Sequence, residues 1–338
     1  MKRILALALG ATAMAASFAT SAVAGDYPWK PEKTITIVVP WSAGGATDQV
    51  TRVTAGELEK ALGQKVVIVN QPGASGSIGK KGVQDGPHDG YTWAAGAPKQ
   101  LGTYKLLGMF DTWVEDWRLY LNVTNVPMVS VNPDSPYQTM GELIEAMKAN
   151  PGEISVATAG AGSSGHVAIE AIVQPLGLSY KHVSYDGGNP AVIATVSGET
   201  QVTTQLASEQ AEMVRGKRLR PLAVVGDQAV LIDGYGEVPP ITEWLKKVPA
   251  VATSFGIFIP KDAPAEVLKT FDMVWEQEIA NSPALKKYAA EKGAVFTPVY
   301  GDAAQKRVMP EIQADAWSFH AAGRTKMSPE ELGIAKPE

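Results

Sequence analysis

The sequence predicts an α/β protein of two units, and two patterns support this prediction. Short runs of β-branched residues are each followed by a glycine-rich turn and then by a segment whose apolar residues have helical spacing. Such alternation indicates a parallel sheet covered by helices. The length of 338 residues allows two units of this kind, since a domain contains about 150 residues.

The first unit is predicted to alternate strands with helices. A buried strand at 34–39 precedes a helix at 47–62, and a second strand at 66–69 precedes a helix that begins at 78–83. A third strand follows at 92–95. The strand–turn–helix order is that of a parallel α/β unit.

The second unit repeats this order, and the chain then returns to the first. Its predicted strands are 126–131, 154–158, 180–185, 202–206 and 219–225, and its predicted helices are 140–149, one that ends at 173, 190–196 and 208–215. The returning segment is predicted to contain a strand at 255–259 and helices at 265–279, 283–292 and 308–322. Pro310 is expected in the first turn of the last helix, where proline is tolerated. We assign residues 25–124 plus 254–338 to one lobe and residues 125–253 to the other.

The first 24 residues are expected to be a secretory signal peptide. Lys2 and Arg3 precede an apolar stretch, and the segment ends in small residues at positions 22–24. The apolar stretch falls short of the ~20 residues that cross a bilayer. The sequence therefore predicts an exported protein that is cleaved after Ala24.

The composition excludes several classes of function. Thirty-five acidic residues against 30 basic ones give a net charge of −5, which argues against nucleic acid or anionic lipid as a partner. The absence of cysteine excludes disulfides, a thiolate nucleophile and a zinc-ribbon site. A charged fraction of 19% with eight Trp and ten Tyr excludes an intrinsically disordered chain.

Four glycine-rich turns follow predicted strands and open predicted helices. They occupy residues 40–48, 70–77, 160–165 and 185–190. Glycine lets backbone N–H groups converge, and a helix start adds partial positive charge, so such a turn can hold a carboxylate or phosphate without Lys or Arg. The alternative is that these glycines only turn the chain.

An exported enzyme remains an alternative function. Gly160, Gly162 and Gly165 match the dinucleotide-binding pattern G-x-G-x-x-G, and Asp186 lies near the position of its ribose-binding acid. His166 follows Ser163 and Ser164, but no nucleophile motif surrounds them. The four histidines show no metal-binding spacing, so neither a metal nor a cofactor is predicted.

Three ordered motifs in the first unit suggest a family. Residues 40–48 read Pro-Trp-Ser-Ala-Gly-Gly-Ala-Thr-Asp, residues 70–79 read Asn-x-Pro-Gly-Ala-x-Gly-x-Ile-Gly, and residues 87–92 read Pro-x-Asp-Gly-Tyr-Thr. In these motifs, and in later ones at 185–191 and 216–224, the chain resembles the substrate-binding receptors of tripartite tricarboxylate transporters, the Bug or TctC-like family. The resemblance covers essentially residues 30–323.

The resemblance implies a type II periplasmic-binding-protein fold, in which two α/β lobes close on a ligand in the cleft between them. It implies a monomeric periplasmic receptor, not an enzyme, that passes a small organic carboxylate to membrane permease subunits. A receptor that feeds a sensor kinase would use the same site. The residues that the resemblance assigns to ligand binding are Trp41, Ser42, Ala43, Gly44, Gly45, Thr47, Asp48, Ala74, Ser75, Gly76, Gly96, Ala97, Thr158, Ser163, Ser164, His166, Tyr185, Gly188, Asn189 and Gln205.

Several positions depart from the family pattern. Ala43 stands where the family commonly has proline, and Ala194 stands where it usually has aspartate. The family's usual acid is also missing near Gln201 and Thr203. With fewer acids available for an ammonium group, a di- or tricarboxylate or an aromatic acid is expected as the ligand rather than an amino acid.

Overall fold

The computed structural model describes residues 26–246 and 251–337, so the predicted signal peptide lies outside the described residues. The strands are β1 (Ile35–Val39), β2 (Val66–Asn70), β3 (Thr92–Gly96), β4 (Trp117–Asn125), β5 (Met128–Val131), β6 (Ser155–Thr158), β7 (Lys181–Ser184), β8 (Val202–Thr203), β9 (Arg220–Val224), β10 (Val230–Ile232), β11 (Gly236–Val238), β12 (Thr253–Pro260) and β13 (Val295–Tyr300). The helices are α1 (Ala46–Leu62), α2 (Ser77–Gln84), α3 (Met140–Ala149), α4 (Ser164–Val173), α5 (Gly188–Val196), α6 (Ala207–Arg215), α7 (Ala265–Gln277), α8 (Pro283–Lys292) and α9 (Gly301–Ala321). Among the described residues, no helix combines the length and the apolar character that a membrane crossing requires.

Two sheets form the centres of two α/β lobes, as predicted. The first has the order β13-β4-β12-β3-β1-β2, and the second has the order β7-β6-β8-β5-β9. A separate hairpin of β10 and β11 lies beside the second sheet. The chain passes from the first sheet to the second between β4 and β5 and returns to the first at β12. The exact lobe boundaries remain a prediction.

Both sheets are mixed rather than parallel, which corrects the expected strand direction. β1 pairs in parallel with β2 and β3, whereas β12 is antiparallel to β3 and β4. In the second sheet, β6 is parallel to β7 and β8, whereas β5 is antiparallel to β8 and β9. β13 also runs opposite to the parallel strands, because it is antiparallel to β4. β12 and β5 are the strands that enter a sheet from the other lobe. Because they enter at the carboxyl edge of the parallel strands, they must run the opposite way.

Several strands escape the sequence patterns. β4 carries Arg118, Asn122 and Thr124, whose polar side chains interrupt an apolar run, and β13 contains Pro298. Proline within a sheet is confined to edge strands and bulges, and β13 is an edge strand whose register with β4 is interrupted. The short hairpin of β10 and β11 was also not predicted.

The last helix corrects the prediction for Pro310. α9 begins at Gly301, so Pro310 lies inside the helix and not in its first turn. The predicted start was too late because residues 302–307 are mainly polar and hide the helical spacing. Proline has no N–H, so the carbonyl of Lys306 lacks its usual partner one turn later.

α9 contributes to the cores of both lobes. In the first lobe, α9 packs Val308, Ile312 and Ala316 against residues of β4 and β12, such as Leu121 of β4. Further along the same helix, Phe319 belongs to the core of the second lobe. Since the carboxyl ends of the parallel strands of both sheets carry the glycine-rich turns, the two lobes present these turns to each other.

Candidate functional site: the cleft between the lobes

A small cavity lies where the turns of the two lobes meet. Its volume is about 30 Å³, and a water molecule needs roughly 10–15 Å³ on this measure. The cavity is therefore large enough for about two waters in this closed arrangement. The lining residues are Trp41, Thr47, Ala97, Gln100, Ala159, Ser163, Ser164, Gly188, Gln205, Leu206, Glu209 and Phe255.

Seven of the twenty predicted residues line this cavity, and they come from both lobes. They are Trp41, Thr47, Ala97, Ser163, Ser164, Gly188 and Gln205. Helices α1, α4, α5 and α6 all begin beside the cavity, so the positive ends of four helices lie beside it. No Lys or Arg is among the described lining residues.

Direct contacts between the first and fourth turns close the cleft. The backbone N–H and the Oγ of Ser42 donate to the carbonyl of Asp186 at 3.0 Å and 2.6 Å. Across the same contact, the Nδ2 atom of Asn189 would lie 3.3 Å from a Cβ atom placed on Gly44. Ser42, Gly44 and Asn189 therefore join the lobes, and Gly45 lies beside them, but none of the four is a lining residue. Ala43 is exposed.

Asp48 shapes the first turn from outside the cavity. Its carboxylate accepts from the N–H of Gly44 at 2.9 Å, from Arg52 at 2.8 Å and 3.0 Å, and from Asn70 at 3.0 Å. Burial by itself raises the pKa of Asp48, but the hydrogen bonds from Arg52, Gly44 and Asn70 outweigh it and lower the pKa. All the polar partners of Asp48 are thus protein groups.

The second turn contacts the third turn rather than the cavity. Ala74 and Ser75 have φ of +43° and +54°, a strained conformation for residues other than glycine. The backbone carbonyl of Ser75 accepts a hydrogen bond from the Tyr104 hydroxyl at 3.1 Å. The Ser75 side chain reaches the third turn, because its Oγ would lie 2.9 Å from a Cβ atom placed on Gly160. Ala74, Ser75, Gly76 and Gly96 therefore do not line the cavity.

His166 is buried behind the third turn. It is 0% exposed, and its ring stacks on His182 and Phe319 at centroid distances of 4.6 Å and 5.7 Å. Its Nδ1 accepts from the N–H of Gly162 at 3.1 Å. The structure therefore does not bring His166 into the cavity with Ser163 and Ser164.

Thr158 and Tyr185 also have partners away from the cavity. Thr158 Oγ1 lies 2.6 Å from Nε2 of His182. The Tyr185 hydroxyl donates to Glu199 at 2.9 Å. Both side chains thus support the second lobe rather than line the cavity.

Glu209 is the most consequential residue that the sequence reasoning missed. It is the only ionisable side chain among the described residues that line the cavity. Its Oε1 accepts from the N–H of Ala46 in the other lobe at 3.0 Å, and its Oε2 accepts from the N–H of Leu206 at 3.2 Å. When the Gln205 amide is oriented so that its oxygen accepts from Ala159, its nitrogen donates to Glu209 Oε2 at 3.0 Å.

Burial raises the pKa of the Glu209 carboxyl to about 7, although the hydrogen bonds from Ala46 and Leu206 partly oppose this change. An acid at the third position of α6 is the local signal that identifies this residue as a helix-capping group. That signal does not reveal the contact with Ala46. Gln100, Ala159, Leu206 and Phe255 are the other lining residues that were missed.

Lys80 fixes the orientation of Gln100. Its Nζ is completely buried and donates to Gln100 Oε1 at 2.5 Å, to the Tyr104 hydroxyl at 3.1 Å and to the Ala97 carbonyl at 3.4 Å. Because Oε1 is occupied by Lys80, the Nε2 donor of Gln100 is the group that remains for the cavity. None of these partners is acidic, and burial lowers the pKa of Lys80 well below 10.5.

Lys80→Met is expected to change the pH dependence of stability. Because the pKa of Lys80 is lower in the folded state, the unfolded chain binds more protons, and the free energy of unfolding rises with pH toward 10.5. In the variant, the free energy of unfolding should rise less with pH, because this contribution is absent. The variant should also bind ligand more weakly, because Gln100 loses its fixed orientation. Urea unfolding over a pH series measures the first effect. The exposed neighbour Lys81, replaced in the same way, is the control, and equal slopes for Lys80→Met and wild type would contradict the prediction.

Comparison with known proteins identifies the family. A family model described as the tripartite tricarboxylate transporter family receptor matches residues 50–317. The chain belongs to this family. As a member of the tripartite tricarboxylate receptor family, it resembles BugT of Bordetella pertussis, with 29% identity over 319 residues that cover 93% of this chain and 95% of BugT. A Pseudomonas protein encoded between tcbD and tcbE is 30% identical over 259 residues, which cover 74% of this chain and 75% of that protein.

Two solved structures at 25% identity or more have the same fold. The periplasmic binding protein BugD superposes with a TM-score of 0.80 at 25% identity, over 88% of this chain and 100% of BugD. A protein of R. palustris solved with adipate superposes with a TM-score of 0.78 at 26% identity, over 87% of this chain and 98% of that protein. The two-lobe periplasmic-binding-protein fold is therefore confirmed.

Proposed function

We propose that the protein is a periplasmic receptor that captures a small organic carboxylate in the cleft and delivers it to the membrane subunits of a tripartite tricarboxylate-type transporter. The observation that carries this proposal is the cavity itself, which is lined by both lobes at the starts of α1, α4 and α5. A ligand that touches both lobes stabilises the closed arrangement, which is how a receptor of this type responds to its ligand.

The chemistry of the lining supports an anion. Helix N-termini and polar side chains can hold a carboxylate without a Lys or Arg partner. The cavity offers Thr47, Ser163, Ser164 and the amide of Gln100 as donors. The related R. palustris protein was solved with adipate, which agrees with a carboxylate as the ligand class.

The apolar walls and the small volume define how the ligand enters. Trp41 and Phe255 contribute apolar surface to the cavity, which suits the carbon chain or ring of an organic acid. Because about 30 Å³ is too little for such a ligand, the lobes must separate before it binds, and with the ligand in place they close less tightly than in this structure. The ligand then forms part of the contact between the lobes.

A thermal-shift screen against di- and tricarboxylates, aromatic acids, amino acids and NAD tests the proposed function. A true ligand at about 100 times its Kd stabilises the folded state by about 2.7 kcal/mol, which corresponds to a rise in Tm of roughly 4 °C for a chain of this size. We expect this rise with at least one carboxylate. The matched control is the uncharged alcohol of the same chain length. A rise with NAD and none with any acid would contradict the receptor function.

The enzyme alternative gains no support from the third turn. A Cβ atom on Gly160 would lie 2.9 Å from Ser75, and one on Gly165 would lie 2.5 Å from Gln205. The space that a dinucleotide would need beside these glycines is thus filled by protein atoms. A receptor for a sensor kinase would use the same cleft, and uptake of labelled ligand by cells with and without the receptor separates that function from transport.

A further inference from the structure

The carboxylate of Glu209 lies where three helices begin. Ala46 is the first residue of α1, Leu206 immediately precedes α6, and both donate their backbone N–H to this carboxylate. Gly188 is the first residue of α5, and a Cβ atom there would lie only 1.9 Å from Glu209 Oε1. Helix N-termini favour a negative charge. The protein therefore fills a position suited to an anion with its own side chain.

The hydrogen bonds of this carboxylate are nearly complete. Ala46, Leu206 and Gln205 supply three donors, whereas a carboxylate offers about four acceptor positions. In the described part of the chain, no Lys or Arg forms an ion pair with Glu209. One acceptor position is left for a ligand, together with an uncompensated negative charge on the wall of the cavity.

We propose that Glu209 is a specificity-determining residue that takes the place of a second ligand carboxylate, so that the receptor selects acids with a single carboxylate. This inference rests on the proposed function, since it concerns the same cleft. The single carboxylate of the ligand binds on the side of Ser163, Ser164 and Gln100. The opposite end of the ligand faces Glu209.

Charge and hydrogen bonding both produce this selection. A second ligand carboxylate beside Glu209 meets a like charge in a poorly solvated cavity, which lowers affinity by at least about tenfold. It also finds the N–H of Leu206 and the amide of Gln205, which belong to the same lobe as Glu209, already occupied. A hydroxyl at the same end of the ligand donates to the remaining acceptor position of Glu209.

The titratable groups around Glu209 allow a test by pH. On the elements packed against it these are Tyr288 and Lys292 on α8, Asp48 and Arg52 on α1, Tyr185 and Asp186 before α5, and Glu212 and Arg215 on its own helix. Asp48 and Arg52 pair with each other, and Arg215 and Lys292 both pair with Glu212. Burial raises the pKa of Glu209 to about 7, so this group titrates near neutral pH. When protonated, Glu209 can donate to a second carboxylate, and the selection should weaken.

The experiment compares matched ligands by calorimetry at about pH 8.5 and about pH 6, on either side of the pKa of Glu209. One pair is adipate and 6-hydroxyhexanoate, and the other is terephthalate and 4-(hydroxymethyl)benzoate. In each pair a hydroxymethyl group replaces one carboxylate. The proteins are wild type, Glu209→Gln and the control Glu212→Gln, which changes an exposed acid on the same helix. Glu209→Ala is the second variant if Glu209→Gln does not fold.

Wild type and the control are expected to prefer the hydroxy acid by at least about tenfold at the higher pH and by less at the lower pH. Glu209→Gln should lose both the preference and its pH dependence. If wild type binds the dicarboxylate as tightly as the hydroxy acid, or if both Glu209 variants keep the preference, the inference is wrong while the proposed function stands. If no acid of either pair binds to any of the proteins, the proposed function fails and the inference fails with it.

Discussion

Gly188→Ala is expected to weaken ligand binding by roughly tenfold to a hundredfold. The added Cβ would lie 1.9 Å from Oε1 and 2.1 Å from Cδ of Glu209, so the Glu209 carboxylate must leave its position. Gly188 and Glu209 belong to the same lobe, so the clash exists whether the cleft is open or closed, and overpacking of this kind lowers stability by about 1–3 kcal/mol. The displaced carboxylate also loses the N–H of Ala46 in the other lobe, which removes a contact that holds the cleft closed. Calorimetry measures the affinity, and urea unfolding measures the free energy of unfolding, which should decrease.

Two further variants isolate the cause of this effect. Gly56→Ala lies within α1, where a Cβ meets no atom within 4 Å, and it should leave affinity unchanged while slightly stabilising the helix. In the double variant Gly188→Ala with Glu209→Ala, the clash is absent and the free energy of unfolding should rise above that of Gly188→Ala alone. A single Gly188→Ala variant with unchanged affinity and unchanged stability would contradict the prediction.

Glu170→Gln is expected to lower the free energy of unfolding by about 3 kcal/mol near neutral pH. The Glu170 carboxylate is buried and accepts from the Tyr180 hydroxyl at 2.8 Å, from Arg324 at 2.6 Å and from Gln174 at 3.0 Å. An amide has one acceptor atom where the carboxylate has two. The NH2 group of the amide is itself a donor, so it faces the donors that the carboxylate had accepted from. The variant also lacks the negative charge that pairs with Arg324.

The pH dependence of stability gives an independent measure of the same site. Burial by itself raises the pKa of Glu170, but hydrogen bonds from His166, Gln174 and Tyr180 and the charge of Arg324 lower it from 4.5 to about 2. The stabilisation is complete above pH 4.5 and is lost as the pH falls toward 2, a total of about 3 kcal/mol. Glu170→Gln should lack this loss.

Urea unfolding of wild type and Glu170→Gln over a series of pH values measures both effects. Glu145→Gln is the matched control, because Glu145 forms an exposed ion pair with Lys148 on α3, and such pairs contribute about 0–1 kcal/mol. The prediction is contradicted if Glu170→Gln loses no more stability than the control, or if its acid unfolding follows that of wild type.

The alternation of strands, turns and helices predicts most of the fold because it depends on local spacing. The helix predicted at 140–149 is α3, Met140–Ala149, and the four glycine-rich turns all precede helices. The edge strand β13 escapes prediction because Pro298 and its partly exposed side chains do not resemble a buried strand. The sequence pattern also does not predict strand direction, because the direction of a strand depends on where the chain enters the sheet.

The lining of the cavity is predicted less completely than the fold, and Glu209 shows why. Its partner Ala46 is 163 residues away in the sequence and belongs to the other lobe, so no local pattern connects them. His166 shows the opposite case. Its position beside two serines at a helix start predicts a ligand contact, whereas the aromatic faces of His182 and Phe319 enclose its ring. Contacts across the cleft decide which turn residues can reach a ligand.

The path of α9 restricts the direction in which the lobes can separate. The chain crosses between the lobes twice, after β4 and before β12. These two crossings define an axis about which one lobe can rotate relative to the other. Beyond the end of α9, Arg324 is bound to Glu170 in the second lobe, and Phe319 is packed in that lobe's core. A third attachment away from the axis would have to break during rotation, so the axis must pass close to it. The ligand therefore enters where contacts between the lobes can break without disturbing this attachment, as between Ser42 and Asp186.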